Sequence, residues 1–249
     1  MKNNIKKLKT EFYKIQCKNW IKNTEKGTSA AGKILENLLS KDDDNLIIAD
    51  YYGIELKTKL LYSEPYINLF SMVPDNRPLV LKEILIRYGW PSRKDRKYKV
   101  FFGQVFGNEF KKVGLFNEFK LEVDKESQKV RLLVRNCYTN HVNKNISWSF
   151  EQLENRLNMK LKYLALVPVE KRKYGDDVYF KYHNFKLYKL KSFDRFLELI
   201  STGDIRVNIK ISFYTSKEKY GKIQEKGTSF EIDEKDIDKL FDLIDTDDM

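Results

Sequence analysis

The sequence predicts a mixed α/β (α+β) fold, and three observations predict it. Helical stripes and alternating strand patterns both occur in clean stretches, as in Ile5-Leu8-Phe12-Ile15 and Ile205-Val207-Ile209-Ile211-Phe213. The two kinds of segment do not follow a strict strand–helix alternation, which argues against a doubly wound parallel sheet. Finally, 249 residues with 41% hydrophobic and 14% aromatic content suffice for one large domain or two packed lobes with real cores.

Taken in order, Ile5, Leu8, Phe12 and Ile15 recur at three- and four-residue intervals and predict an opening helix. A turn at Lys26-Gly27 follows, and Thr28 or Ser29 can cap a second helix. That helix places Ala31, Ile34, Leu35, Leu38 and Leu39 on its core stripe. Glu36 falls roughly 130° from the stripe's centre, on a flank that Gly32 leaves bare. A charged loop then leads to the apolar run Leu46–Asp50, the turn Tyr51-Tyr52-Gly53, and a strand in which Ile54, Leu56 and Thr58 alternate with Glu55, Lys57 and Lys59.

Leu79–Tyr88 reads as a helix running into the basic loop Arg93–Lys99. Phe119–Glu122 and Val130–Val134 read as a hairpin, Trp148–Leu157 as a helix, and Tyr163–Val167 as a short buried strand ended by Pro168. Phe193–Ile200 is a helix stopped at Thr202-Gly203-Asp204. The alternating strand from Ile205 turns Arg206, Asn208, Lys210, Ser212 and Tyr214 to its other face, and a basic turn (Lys217 to Lys222) leads to a return strand around Phe230 and Ile232. A last helix uses Ile237, Leu240, Phe241 and Ile244. Trp20, Trp90 and Trp148 read as core residues. No internal repeat divides the chain.

Composition narrows the chemistry. The longest apolar runs are far too short to span a bilayer, and the N-terminus carries no secretory pattern, so a cytoplasmic address is expected. Cys17 and Cys137 have no ligand spacing around them, and His141 and His183 are the sole histidines. A disulfide framework, a zinc site or a histidine cluster therefore lacks parts, and metal chemistry must come from carboxylates, which suit a hard ion such as magnesium. The formal net charge is +11. Glu231–Met249 holds nine acids and two bases, a local −7, so the first 230 residues carry +18. Such an excess suits a polyanion, because each neutralised phosphate releases counterions. No basic amphipathic helix points instead to a membrane surface.

Asp50, Glu55 and Lys57 form the constellation with a mechanism. Hydrolysing a phosphodiester needs a divalent ion to offset phosphate charge and acidify the attacking water. Two carboxylates supply its oxygen ligands, and a lysine on the same strand face favours the hydroxide electrostatically. In a chain with 36 acids and 47 bases the bare pattern arises by chance on the order of once. The solvated face of an edge strand fits the same residues.

Lys26-Gly27 … Gly32-Lys33-Ile34-Leu35-Glu36-Asn37-Leu38-Leu39, followed by Asp50 … Ile54-Glu55-Leu56-Lys57-Thr58, resembles the MutH-like branch of the PD-(D/E)XK nucleases, and within it the MvaI/BcnI family of type II restriction endonucleases. Ile86-Arg87-Tyr88-Gly89, Trp148–Leu153, Lys160–Tyr163, Gly203–Val207 and Gly227–Phe230 extend the resemblance over nearly the whole chain. It implies a central mixed sheet flanked by helices in a two-lobed architecture, with a catalytic lobe over about residues 1–150 and a mainly DNA-recognition lobe over about residues 151–249. It implies Mg2+-dependent, sequence-specific hydrolysis of double-stranded DNA that leaves 5′-phosphates, with Mn2+ an acceptable substitute. Asp50 and Glu55 would hold the metal, Lys57 would serve the water, and Glu36 would assist as a fourth catalytic residue. Ala49 stands where the superfamily pattern has proline.

The resemblance further implies a monomer acting on a short GC-rich site, with a cognate DNA methyltransferase as functional counterpart but not as a stable partner. Arg206, Asn208, Lys210 and Tyr214, with Lys222, Gln224 and Lys226, have the hydrogen-bonding character to read base edges. Relatives carry Asp and Arg where Asn208 and Lys210 stand, and His and Arg where Lys226 and Glu231 stand, changes that alter hydrogen-bonding character, so the resemblance does not fix the target sequence. Arg93, Lys94, Arg96 and Lys97, and Lys171-Arg172-Lys173, suit phosphates. The rival readings are a MutH-type mismatch-repair nicking enzyme and a DNA-binding module without catalysis.

Overall fold

The computed structural model describes residues 1–39, 51–76 and 79–244. In chain order the elements begin α1 (Lys2–Gln16), β1 (Ile21–Lys22), α2 (Ala30–Leu39), β2 (Glu55–Leu60), β3 (Tyr66–Ser71), α3 (Leu79–Tyr88), β4 (Trp90–Pro91) and β5 (Lys99–Val105). Next come β6 (Lys111–Val113), β7 (Asn117–Asp124), β8 (Lys129–Asn136), β9 (Val142–Ser149), α4 (Phe150–Leu161) and β10 (Tyr163–Tyr174). The chain continues through β11 (Asp177–Tyr182), β12 (Lys186–Leu190), α5 (Phe193–Thr202), β13 (Ile205–Phe213), β14 (Ile223–Glu225), β15 (Ser229–Asp233), α6 (Ile237–Leu240) and β16 (Phe241–Ile244).

Two compact units are woven from separated stretches. One comprises Met1–Pro65, Arg156–Lys191 and Phe241–Met249, the other Tyr66–Asn155 and Ser192–Leu240. The sequence reading draws a single boundary near residue 150, whereas the chain passes between the units several times.

The first unit is organised by β10. Its residues 164–166 pair on one side with parallel β2 and on the other with antiparallel β12, and its outer half pairs with β11. Leu164, Ala165 and Val167 are consequently shielded completely. Against this sheet pack Ile5, Leu8, Phe12 and Ile15 of α1 and Ala31, Ile34, Leu35 and Leu39 of α2, the two stripes predicted from helical spacing.

Three expectations need correction here. The strand from Tyr163 does not end at Pro168 but runs to Tyr174. The Pro168 carbonyl accepts from the His183 N–H at 2.9 Å, so the ring nitrogen turns to the same side, at the gap between the β12 and β11 pairings where no ladder bond is lost. The last helix is shorter than its periodicity suggests. It stops at Leu240, and Phe241–Ile244 instead pairs with β12, which satisfies the backbone groups of that edge. Trp148 lies within β9, which closes at Ser149, and the helix starts only at Phe150.

In the second unit β13 is central, pairing with β5, β14 and β15. A separate four-stranded sheet follows the order β6-β7-β8-β9. Phe230 lies between Phe70, Phe196 and Trp148, with ring centroids at 5.1, 5.7 and 5.6 Å. Trp148 donates its indole N–H to the Met72 carbonyl at 3.0 Å, so it is a core residue as predicted. Trp20 and Trp90 are half-buried. The helix α5 ends on Gly203 in the left-handed region, as the Thr-Gly-Asp signal predicts.

Gly107 shows how closely this second unit is packed. A Cβ there would stand 1.9 Å from the Ile200 carbonyl oxygen and 2.8 Å from its carbon. Because that oxygen belongs to a helix backbone, it cannot swing aside. Gly107→Ala is expected to lower unfolding free energy by about 3 kcal/mol, measured as the shift in a urea midpoint; an unchanged midpoint would refute the tight approach.

Candidate active site

The candidate site is built on the turn and strand that follow residue 50. Tyr51 and Ile54 exchange both backbone hydrogen bonds, at 3.0 and 2.9 Å. The two residues between them take positive φ, 47° at Tyr52 and 87° at Gly53. Glycine adopts this region freely, but tyrosine does so at a cost of about 1–3 kcal/mol. Helix α1 holds the tyrosine there: the Asn4 amide donates to the Tyr52 carbonyl at 3.1 Å and the Lys7 ammonium to its hydroxyl at 3.0 Å. Tyr51 itself is buried and donates to Glu11 at 3.0 Å. Burial and the Glu11 carboxylate push its hydroxyl well above the usual phenol range, so it remains a donor. Thus the opening helix fixes the entry to β2.

Glu55 opens that strand and is only 4% exposed. Its Oε1 accepts from the Lys57 ammonium at 2.9 Å. The other oxygen, Oε2, is shielded from water and has no hydrogen-bond partner. The Lys160 ammonium, from the last turn of α4, stands 3.8 Å from it as an ion pair. The sequence-predicted pair Glu55 and Lys57 is therefore in direct contact, which rules out a solvated strand face. Lys59, the third polar residue of the alternation, is buried and turned elsewhere, donating to the Ser63 hydroxyl at 3.1 Å and to the Glu64 carbonyl.

Glu36 arrives from α2, which packs against β2. A point one Cβ bond from Gly32 lies 3.4 Å from the Thr58 hydroxyl and 3.8 Å from Glu36 Oε1. The bare flank seen in the sequence is thus where the helix meets the strand, and it brings the half-buried Glu36 to the residue after Lys57. Asp50 lies outside the described residues. Among the described residues no three His, Cys, Asp or Glu side chains form a group that could hold a metal. What they provide at this site is Glu55 Oε2, a buried carboxylate oxygen without a hydrogen bond, which suits a hard cation.

The candidate base-reading residues separate into two groups. Arg206 and Asn208 are not on an open face; each is only 7% exposed. Arg206 is paired with Glu231 through Nε at 2.9 Å and a terminal nitrogen at 2.8 Å, and donates to Gln104 at 3.1 Å. Its guanidinium also lies 3.2 Å from the Tyr66 ring centre. Asn208 and Ser229 donate to the other Glu231 oxygen at 3.0 and 2.6 Å. The expectation of a polar face turned to solvent is corrected at these two positions, because β15 brings an acid over them. Lys222 and Lys226, by contrast, are exposed, and Lys210, Tyr214 and Gln224 are half-buried.

Two basic segments that look independent in sequence meet in space. Asp95, within the loop of exposed Arg93, Lys94, Arg96 and Lys97, accepts from the Tyr220 hydroxyl at 2.7 Å. That bond holds the Asp95 carboxyl below its usual range and raises the tyrosine. Tyr98 stacks on Phe213 at 4.5 Å and meets Tyr220 edge-on at 5.6 Å. The phosphate-type loop and the turn after β13 therefore share one basic surface. Lys171, Arg172 and Lys173 are exposed in the β10–β11 hairpin of the other unit. Sequence reasoning missed Lys160 at Glu55 and Glu231 at Arg206 and Asn208 of β13, since their partners lie at distant positions in the chain and no local pattern marks them.

A family model described as the MvaI/BcnI restriction endonuclease family matches residues 9–241. Among solved structures, the chain is similar to the restriction endonuclease MvaI in complex with a cognate DNA substrate, with 29% identity over 98% of both chains and a TM-score of 0.88. It is also similar to MvaI in the absence of DNA, at 28% identity over 98% of both chains and a TM-score of 0.63. No curated protein matches the chain.

The Glu231 cluster gives a direct test of its own. Glu231→Ala leaves the buried Arg206 without a counter-charge and is expected to cost about 3–5 kcal/mol, whereas Glu231→Gln, which keeps an acceptor, should cost clearly less. Equal urea midpoints for the wild type and the alanine variant would contradict the burial of this pair.

Proposed function

The chain belongs to the MvaI/BcnI restriction endonuclease family, and we propose that it hydrolyses double-stranded DNA at a specific site with Glu55, Lys57, Asp50 and Glu36 as its catalytic group. The observation that carries this assignment is Glu55: 4% exposed, one oxygen on Lys57 at 2.9 Å and the other without a hydrogen bond. Burying a carboxylate oxygen without a donor costs folding energy. A strand that accepts this cost fits a protein that reserves the oxygen for a ligand better than a binding module whose acids are incidental.

Asp50 and Glu55 are proposed to hold a divalent cation, Mg2+ by the hardness of its oxygen donors, with Mn2+ able to replace it. Bound there, the ion supplies positive charge to the scissile phosphate and acidifies the attacking water. Lys57 orients that water from the strand face it shares with Glu55 and stabilises its hydroxide form. The oxygen adds to phosphorus, the bond from phosphorus to the 3′ oxygen breaks, and the 3′ oxygen takes up a proton, leaving a 5′-phosphate. Glu36, on the α2 flank beside Thr58, fits a role through water.

The unit holding Glu55 is proposed as catalytic and the unit holding β13 as the reader of the site. Exposed Lys222 and Lys226, with Lys210, Tyr214 and Gln224, supply donors for base edges. Arg93, Lys94 and Arg96 suit phosphates, which position without specifying. Arg206 and Asn208, engaged by Glu231, set the shape of the reading strand in place of contacting bases. In this reading the enzyme works as a monomer, and a cognate methyltransferase protects host DNA.

Asp50→Asn and Lys57→Ala are expected to abolish cleavage of a sequenced plasmid in Mg2+ while retaining DNA affinity in Ca2+. Normal cutting by both variants would show the site to be wrong. Double-strand cleavage by the purified protein alone separates this activity from that of a nicking enzyme that depends on partners. Replacing Arg93 and Lys94 by alanine should weaken binding to all sequences alike and reduce the salt slope of log K by about 1 for each phosphate no longer neutralised. A change confined to one base-pair position, read by competition binding, would count against a phosphate role.

A further inference from the structure

Lys57 satisfies only one oxygen of Glu55. The second is shielded from water, lacks a hydrogen bond, and faces the Lys160 ammonium at 3.8 Å. Lys160 comes from the last turn of α4, 105 residues along the chain, and its side chain is 26% exposed against 6% for Glu55. One carboxylate therefore lies between two ammonium groups that hold it very differently: a hydrogen bond on one side, and a longer pairing on the other, made by a flexible and partly wet side chain.

We infer that Lys160 is a positioning residue that occupies the cation's place at Glu55 Oε2 and is displaced when the divalent ion binds. The inference rests on the reading of Glu55 as a metal ligand. Its physical content is competition. A carboxylate oxygen out of water needs a positive neighbour, and a 3.8 Å ion pair supplies the charge without the directional bond that would make it hard to break. The half-wet lysine can retreat to solvent at little cost because its head is already partly hydrated. Lys57, at hydrogen-bond distance and 18% exposed, cannot do so as readily. The ion thus enters on the Lys160 side against the repulsion of a unit positive charge. Lys160 keeps the site in order while empty and weakens its hold on metal in the absence of DNA.

The sign of this effect distinguishes it from a structural role. In DNA-free protein titrated with Mn2+ alone, with free ion read by electron paramagnetic resonance, Lys160→Met is expected to bind about fivefold more tightly than wild type. Lys160→Arg, which retains the charge, should stay close to wild type, and a melting curve for each variant establishes that it is folded. Glu55→Gln serves as the control for the underlying assignment and should lose Mn2+ binding. If Glu55→Gln loses the ion while Lys160→Met binds it no more tightly than wild type, the competition is refuted and the metal reading survives. If Glu55→Gln binds Mn2+ normally, the metal reading itself fails, and the role of Lys160 with it.

Discussion

A carboxylate held almost wholly out of water is the constraint around which the first unit is arranged. Glu55 is tolerated there because Lys57 donates to one oxygen and Lys160 offers charge to the other. Those two cations come from different elements, so the site requires β2 and α4 to be set correctly at once. The parallel pairing of β2 with β10 fixes the strand, and β10 follows α4 directly in the chain. Burying such a group without its partners would cost several kcal/mol, a large share of a typical domain's stability.

The support extends to the N-terminal helix. Its apolar stripe packs on the sheet, and its polar side clamps the Tyr52 backbone in a conformation tyrosine seldom adopts. Strain at the entry to β2 is offset by hydrogen bonds from forty-odd residues away.

In the second unit a different buried charge does comparable work. Glu231 gathers Arg206, Asn208 and Ser229, and Tyr66 covers the guanidinium. β13 is thereby tied to β15 by side chains as well as by its ladder, and the exposed lysines lie in the turn that follows it. The Asp95–Tyr220 bond joins that turn to the loop of Arg93 and Arg96, so a rigid strand carries a basic surface drawn from two distant segments. This is a suitable construction for reading DNA, because phosphate contacts fix register while neighbouring donors discriminate bases.

Much of this was legible in the residues themselves. The stripes of α1 and α2, the strands at Glu55 and Ile205 and the shared face of Glu55 and Lys57 follow from periodicities of two and 3.6 residues, which are local properties of the backbone. The Gly203 stop and the hairpin around residue 125 follow from turn residues. The family resemblance lay in the sequence as well, and with it the role proposed for Glu36, which periodicity alone would have left on the surface. Only the tertiary structure decided that Phe241–Ile244 is a strand, that the β10 strand continues past Pro168, that Arg206 and Asn208 are buried against Glu231, and that Lys160 reaches Glu55. Each of these depends on which distant segment supplies the missing partner, a sheet edge, an acid or an ammonium group. Local pattern records what a segment needs, and packing determines what meets that need.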